Sequence, residues 1–437
     1  VNAAGLVEAP TPTPRNAPGT YPVPAGRGRW RLTLHARNFF GGPFTAAPTW
    51  QQTILVELVE ARSRKLDQQW NTPAQLTFSL DGHDPAAAQV VEMSTEVYAW
   101  RWDDTQGVDV PLFRGCVTQG QDDLTEQSHT VTFTALDYAA LMDRRIMVAT
   151  TPTVWTQNDQ DGMAWSLVNT AAQGSPPSRL PLLAAMVNPD GSARAAASGT
   201  LRDRSYAGSS FYGTLFAELA RALGGFDWDV VPEPRAYGLP QMVGSIPAGM
   251  DAVRIFFPSQ GVTRADVPLV YGSNVATVQR IVTSTNYANW IRALGNNASS
   301  DPNAAQLVVD VQNADATGTA VGLWQQVENA ADVTLSGTLA DQANGALTEL
   351  GAMLPTYTLG LRPGAYTYGA PNIGDTCPLY IKSGRLDVAA AIRVVGLSYA
   401  IGDDGDEDVT LTVGALPTHL GLLLRRSERE IRALNRK

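Results

Sequence analysis

"IRVVGLSYAIGDDGDEDVTLTVG", residues 392–414, decides how this chain is read. An apolar run leads into a turn carrying Asp403, Asp404, Asp406, Glu407 and Asp408. Val409, Leu411 and Val413 then alternate with Thr410 and Thr412. A period of two marks a strand with one buried face. Asp and Gly clustered between such strands are turn chemistry, with exposed carboxylates that need no desolvation. As a calcium loop the stretch fails: counted from Asp404, the sixth position is Val409 where glycine is needed. The twelfth is Ala415 where a bidentate Glu is needed. The reading is a β-hairpin, with a weak ion site at its tip as the alternative.

A second stretch has the same form. "FRGCVTQGQDDLTEQSHTVTFTALDYAALMDRR" (113–145) and the segment 392–426 each run from a strand through an acidic turn opening with Asp-Asp. Each continues into a strand with Thr at alternate positions and ends in Arg-Arg. Either two ordinary hairpins share a pattern, or the chain holds two related β blocks separated by an insertion.

Around these hairpins the sequence divides. Residues 1–29 contain Pro10, Pro12, Pro14, Pro18, Pro22 and Pro24, which suits an extended arm, either free or laid over a neighbouring subunit. Residues 30–150 read as β: a strand at Ile54–Glu60, then Leu76, Phe78 and Leu80 alternating with Thr77 and Ser79. Tyr98, Trp100 and Trp102 share a face of the next strand, and a short helix spans Tyr138–Arg145. Residues 151–340 read as an inserted α+β region. Its first part, to about residue 210, shows no sustained period and is expected to loop around short elements. A helix follows with Phe211, Leu215, Phe216, Leu219 and Leu223 on one face, ended by Gly224-Gly225. "FDWDVV" and "VRIFF" read as strands, "NVATVQRIVTSTNYANWI" as a segment beginning helical with a strand as the alternative at its end, and "GLWQQVEN" and Asp341–Leu354 as helices. Residues 341–415 form a second β block that draws in earlier strands. Residues 416–437 read as a basic helix with Arg425, Arg426, Arg429, Arg432, Arg436 and Lys437.

Length and composition bound the function. At 437 residues the chain is expected to hold about two to four domains. It is 44% hydrophobic and 17% charged, as folded soluble proteins are. A net charge of −10 argues against broad nucleic-acid affinity, since phosphate binding needs local positive charge. No apolar run reaches the roughly 18 residues of a membrane helix, and the N-terminus lacks a secretory pattern. The expectation is a soluble protein made in the cytoplasm. Only Lys65, Lys382 and Lys437 among the 32 basic residues are lysine, a skew that suits a GC-rich genome. Cys116 and Cys377 stand alone, as buried free thiols do.

A search for chemistry assigns no catalytic, cofactor-binding or metal-ligating residue. His35, His83, His129 and His419 show no ligand spacing, and there is no nucleophile elbow, phosphate loop or dinucleotide fingerprint. Asp81/Asp84 and Asp103/Asp104 have the composition of glycosidase carboxylate pairs but lie in turn sequence. Asn297-Ala298-Ser299 fits a glycosylation sequon, which matters only on a secretory route. Trp100, Trp102, Trp228, Trp290 and Trp324 are spread over separate elements, as core residues are.

Several stretches together resemble the tail hub, or baseplate hub, proteins of long-tailed bacteriophages. These are "VELVEARSRKLDQQWNTPAQLTFSLDG" (56–82), "LFRGCVTQ" (112–119), "HTVTFTALDYAALMDRR" (129–145), "FDWDV" (226–230), "YGSNVATVQRIVTSTNYANWIRALG" (271–295) and residues 373–414. The resemblance covers roughly residues 50–415 and rests on strand patterns. It implies a β-rich α+β fold with two tail-tube-like β-barrels and smaller α+β domains between them, assembled as a homotrimer. Six barrels in a ring would seat on a sixfold tail tube or distal tail protein and present a threefold face to a tip or fibre. The tape measure protein would be a further neighbour, and DNA would contact the channel wall transiently. On this reading the chain is a non-enzymatic structural protein of the virion tail tip. A carbohydrate- or receptor-binding tail protein is the alternative, recognisable by an exposed Trp cluster with Asp and Asn in one concave site. A β-rich glycan hydrolase is the third.

Overall fold

A computed structural model describes residues 30–36, 54–103, 107–148, 151–172, 180–194, 197–206, 208–221, 225–233, 235–236, 238–239, 241, 245–246, 249–282, 284, 287–296, 306–318, 321–330, 333–351, 355–402 and 406–414. The proline-rich segment 1–29, the sequon, Asp104, Asp403, Asp404 and the segment 415–437 lie outside the described residues.

The first block contains β1 (Trp30–Ala36), β2 (Ile54–Glu57), β3 (Arg62–Gln69), β4 (Thr72–Asp81), β5 (Thr95–Asp103), β6 (Val108–Leu124) and β7 (His129–Asp137). Its alternation is real: Leu76, Phe78, Leu80, Val131 and Phe133 are buried, while Thr77, Ser79 and Thr132 between them are partly exposed. A 3₁₀ turn at Tyr138–Arg144 closes it, capped by Asp137, whose carboxylate accepts from the Ala139 N–H.

The middle contains β8 (Thr153–Asp159), α1 (Gln160–Ala172), β9 (Leu182–Val187), β10 (Leu201–Tyr206), α2 (Tyr212–Arg221), β11 (Asp227–Val231) and β12 (Asp251–Phe256). β11, β12 and β9 make a three-stranded sheet, and β8 and β10 a separate pair. α2 buries Leu215, Phe216 and Leu219 as its sequence stripe requires. α1 was not visible in the sequence. Nine of its thirteen residues are buried, from Gln160 to Ala172, so it carries no polar face to set a period.

Next come β13 (Leu269–Val270), β14 (Val275–Ile281), β15 (Trp290–Leu294), β16 (Val308–Gln312), β17 (Gln325–Asn329) and α3 (Ser336–Leu350). Two expectations are corrected here. The segment from Val275 begins as a strand, favoured by β-branched Val275, Thr277, Val278 and Ile281. "GLWQQVEN" contains β17, which pairs in parallel with β15. α3 starts five residues earlier than its predicted Asp341 and packs on the sheet β16–β15–β17.

The closing block contains β18 (Thr356–Leu361), β19 (Thr376–Ser383), β20 (Leu386–Ile401) and β21 (Glu407–Gly414), and the hairpin read from residues 392–414 is β20–β21. β14 pairs with β18, and β13 with β19. The path β14–β18–β21–β20–β3–β4–β7–β6–β5–β1–β2 is one sheet, with β19 and β13 attached beside β20. The fold is the expected β-rich α+β class. Among the described residues, however, no closed barrel forms; the two blocks are spliced into a single sheet by β3 on β20.

The two blocks repeat one strand order. β3–β4–β7–β6–β5 in the first corresponds to β14–β18–β21–β20–β19 in the second. In each, one long strand changes partners midway. β6 (17 residues) pairs with β5 through its first half and β7 through its second, with an irregularity between Val117 and Gln119. β20 (16 residues) pairs with β19 and then β21, with an irregularity between Val394 and Gly396. Such bulges bend a strand and increase its twist, which allows it to serve two sheets facing different ways. At the β6 crossing the backbones run so close that a Cβ on Gly115 would sit 2.3 Å from the Leu136 carbonyl oxygen.

Both blocks share one hydrophobic core, which includes Leu66, Phe78 and Phe133 from the first and Leu359, Leu397 and Leu411 from the second. Each such side chain contributes roughly 1.5–3 kcal/mol by leaving water. Replacing Phe78, fully buried at 0% exposure, by alanine is expected to destabilise the protein by about 3–5 kcal/mol. Loss of both blocks' signals together in a denaturant titration of Phe78→Ala would confirm the shared core; separate transitions would contradict it.

Candidate functional site

The acidic turn is divided in two by the structure. Asp406 and Asp408 are exposed, as turn carboxylates should be. Glu407 is not: its side chain is 11% exposed and meets Arg101 of β5, itself 1% exposed. Arg101 Nε donates to Glu407 Oε2 at 2.7 Å and Nη2 to Oε1 at 2.9 Å, while Trp30 Nε1 donates to Oε2 at 2.6 Å. Tyr366 and Tyr368 flank the guanidinium at 5.7 and 5.5 Å, and Trp30 packs on Tyr399 at 5.1 Å. The first strand of the first block, its fifth strand and the last strand of the second block are thus clamped by one carboxylate. On the other side of the same hairpin, Arg64 of β3 donates to the Gly402 carbonyl at 3.2 Å.

A second polar centre joins the first block to the inserted region. Arg114 is fully buried between Glu96 (3.2 Å) and Asp251 (3.1 Å) and also donates to the Gly249 carbonyl. The Tyr138 hydroxyl donates to Glu96. Burial pushes the Asp251 carboxyl up to about 7, opposed by the charge of Arg114. Burial also pushes Asp137 up to about 7, against the pull of the Ala74 and Ala139 N–H groups. His35, with Nε2 2.8 Å from Thr33 Oγ1, is pushed down to about 4 by burial and then by Arg114. These groups hold elements together, and of them Asp137 borders a cavity.

A polar cavity of about 290 Å³ lies where the first block, the insertion and the closing block meet. Among its charged walls Arg254 is paired with Asp229 at 2.6 Å and Arg264 with Asp266 at 2.8 Å. Gln260 reaches into the same wall, donating to Asp229 at 2.8 Å.

The residues singled out from sequence scatter. Asp81 is exposed and accepts from the His83 backbone N–H, which holds its carboxyl below the usual range, and Asp84 accepts from the Ala86 N–H. Asp81 ends β4, and Asp84 lies in the turn after it. Asp103 is buried at the end of β5. His83 and His129 meet at one corner, rings 5.7 Å apart, but each is held by its own aspartate, Asp81 and Asp122. Among the described residues no group of three or more His, Cys, Asp or Glu side chains is placed to hold a metal ion. Cys116 and Cys377 are buried free thiols, and burial pushes the Cys377 thiol up to about 11. Trp100 stacks on Tyr98 and donates to Thr33, Trp228 belongs to the core of the inserted region, and Trp290 lies under Arg292. Trp324 is half exposed, and its carbonyl accepts from the N–H groups of Asn289 and Trp290. The five tryptophans do not converge on one concave site.

What the sheet does present is a broad polar face. Opposite the shared core, Thr77, Ser79, Thr132, Thr358, Thr410 and Thr412 form a hydroxyl surface spanning both blocks, with Ser79 and Thr132 hydroxyls 3.0 Å apart. Threonine keeps strand propensity while remaining polar, so this face is ordered and wettable.

No protein-family model matches the sequence, and no curated protein matches it. Solved structures do. The 43 kDa tail protein of prophage MuSo2 from Shewanella oneidensis superposes over 88% of this chain and 98% of its own, with a TM-score of 0.51 and 12% identity. The prophage tail protein gp18 from Listeria monocytogenes EGD-e covers 93% of this chain and 100% of its own at a TM-score of 0.48 and 11% identity. A tail protein from Neisseria meningitidis MC58 covers 88% and 96% at 0.47 and 11%. At these identities the MuSo2 likeness establishes the fold: this chain has the fold of a prophage tail protein.

Two outcomes test the electrostatic reading. Glu407→Ala strands a buried guanidinium and should cost about 3–5 kcal/mol, whereas Asp408→Ala in the exposed part of the turn should stay within about 0.5 kcal/mol. Equal effects in denaturant melts would contradict the clamp. Asp137 and Asp251 hold protons in the folded state up to about pH 7, against a usual carboxyl value of 3.8. Their contribution to stability is therefore full below about pH 4 and is lost as pH rises to about 7. The denaturation midpoint should fall from pH 5 to pH 8, and less steeply in Asp137→Asn.

Proposed function

We propose that this chain is a non-enzymatic structural protein of a bacteriophage tail tip, acting as a hub. Three copies, each supplying two related β blocks, close into a ring of six that continues or caps a sixfold tail tube. The opposite, threefold face carries the tip or fibre proteins. The observation that carries this reading is the repeated strand order, β3–β4–β7–β6–β5 and β14–β18–β21–β20–β19, within one chain. A chain with two copies of one unit can meet a sixfold partner with three subunits, because closed rings place equivalent surfaces at equal intervals. The tail-protein fold supports the same assignment.

In such a ring the core side of the sheet is covered by β1, β5, β13, β19 and the insertion, so that bulk lies outside. The hydroxyl face is then the inner wall. Four sheet strands from each block, spaced about 4.8 Å, give a ring perimeter near 115 Å and a backbone diameter of roughly 37 Å, wide enough for a nucleic-acid duplex. A wall of hydroxyls in a chain of net charge −10 offers a polyanion little to hold, since retention of phosphate needs Lys or Arg. The tail tube or distal tail protein and the tape measure protein are the neighbours this placement implies, and the virion tail tip is its location.

Native mass spectrometry of the purified protein is the direct test. A species at three times the 46.7 kDa chain mass, seen as a six-lobed ring by electron microscopy, is the expected result. A stable dimer or tetramer would overturn the hub.

A further inference from the structure

The internal splice between the two blocks exposes what is missing at the other end of each. β20 uses both edges of its second half. Residues 396–401 pair with β21 on one side and with β3 on the other, in the register Tyr399 opposite Leu66 and Ala400 opposite Lys65. The equivalent half of β6, residues 119–124, pairs with β7 over the same six positions: Gln119–Leu124 against Thr134–His129, as Gly396–Ile401 against Thr412–Glu407. Among the described residues no strand occupies its second edge. The equivalent of β3 is β14, which pairs with β18 on one side and, among the described residues, with no strand on the other. Each chain therefore ends in two edges of matching kind, one lacking the strand that the other supplies.

We infer that β14 of a second copy of this chain adds to the outer edge of β6, reproducing between copies the β3–β20 pairing seen within one. The inference rests on the ring reading above and specifies its contact. The register can be transferred position by position. Tyr357 of β18 stands opposite Arg280, as Leu76 of β4 stands opposite Leu66, so Arg280 takes the place of Leu66. Gln279 takes that of Lys65 by the same pairing through Thr358 and Thr77. Arg280 then falls opposite Asp122, Gln279 opposite Asp123, Ile281 opposite Gln121, and Val278 opposite Leu124.

Two independent features agree with this register. Leu124 is 73% exposed, and Ile281 and Val282 are 45% and 44% exposed, so each of the two edges carries apolar surface open to a partner. The transferred register covers them. The charges also complement: Asp122 and Asp123 lie on the accepting edge and Arg280 on the incoming one, and opposite charges across strands attract. Asp122, 66% exposed, holds His129 at 2.9 Å and has room for a second partner. The contact is head-to-tail, so it propagates from copy to copy until the ring closes.

The test uses the full chain carrying Asp122→Cys and Arg280→Cys together. Under mild oxidation this variant should give covalent species of up to three chains on a non-reducing gel, while either single variant gives none. Arg280→Asp should reduce the native mass to one chain, and adding Asp122→Arg should restore it. A multi-chain native mass with no cross-linking and no effect of charge reversal would overturn the edge contact and leave the ring standing on another surface. A single-chain mass for the unaltered protein under all salt conditions would overturn both.

Discussion

The structure depends on one edge of one strand. In its second half β20 has backbone N–H and C=O groups on both sides, and burying such groups without partners costs about as much as losing each hydrogen bond. β3 supplies the partners, although it lies more than three hundred residues earlier in the chain. Once it does, two sheets become one and two cores merge. The Arg101–Glu407–Trp30 clamp then ties β1 and β5 to the last strand. Without β3 in place, Leu66 and Leu397 would each lose the wall that buries them. Continuity of the sheet, rather than any single ion pair, makes the blocks a unit.

This explains what could be read in advance and what could not. The hairpins were legible because strand alternation and turn chemistry are local: Val409, Leu411 and Val413 declare their face within six residues. The echo between the hairpins was legible for the same reason, and it reappears as two partner-switching strands. The splice was invisible. Nothing in "RSRKLDQQ" states that its outer edge belongs to residues 396–401, since backbone edges carry no sequence signature. The misread segments follow the same rule. β14 is an edge strand that fully buries only Val275, β17 is an edge strand with no fully buried residue, and α1 is buried on most sides, so none shows a clear stripe. Each lacked the one-sided burial from which periodicity comes.

The candidate site shows the complementary limit. Composition placed five carboxylates in one turn, and nothing in the sequence sets Glu407's surroundings apart from those of the others. Glu407 differs only in falling at a position where β21 passes Arg101, a fact of topology. Its burial as a paired charge is weak evidence for added stability, because desolvation of both partners offsets most of their attraction. What it adds is selectivity. A register slip of one residue would carry Glu407 to the other face and leave Arg101 buried and alone, so the ion pair penalises every pairing of β21 but one.

The same logic bears on the unpaired edges. An exposed strand edge invites indiscriminate addition, and natural proteins defend it with charge. Asp122 and Asp123 on β6 suit that defence: a strand bringing its own carboxylates is repelled, and a neutral one offers Asp122 no partner beyond His129. In the proposed contact Arg280 on β14 would meet the condition, and Val278 and Ile281 would cover the exposed apolar surface beside it. An edge that refuses most strands and accepts one already present in every copy needs no further partner to set its direction. In the proposed ring, head-to-tail order would follow from the chain's own two edges, and closure would leave no such edge to be defended.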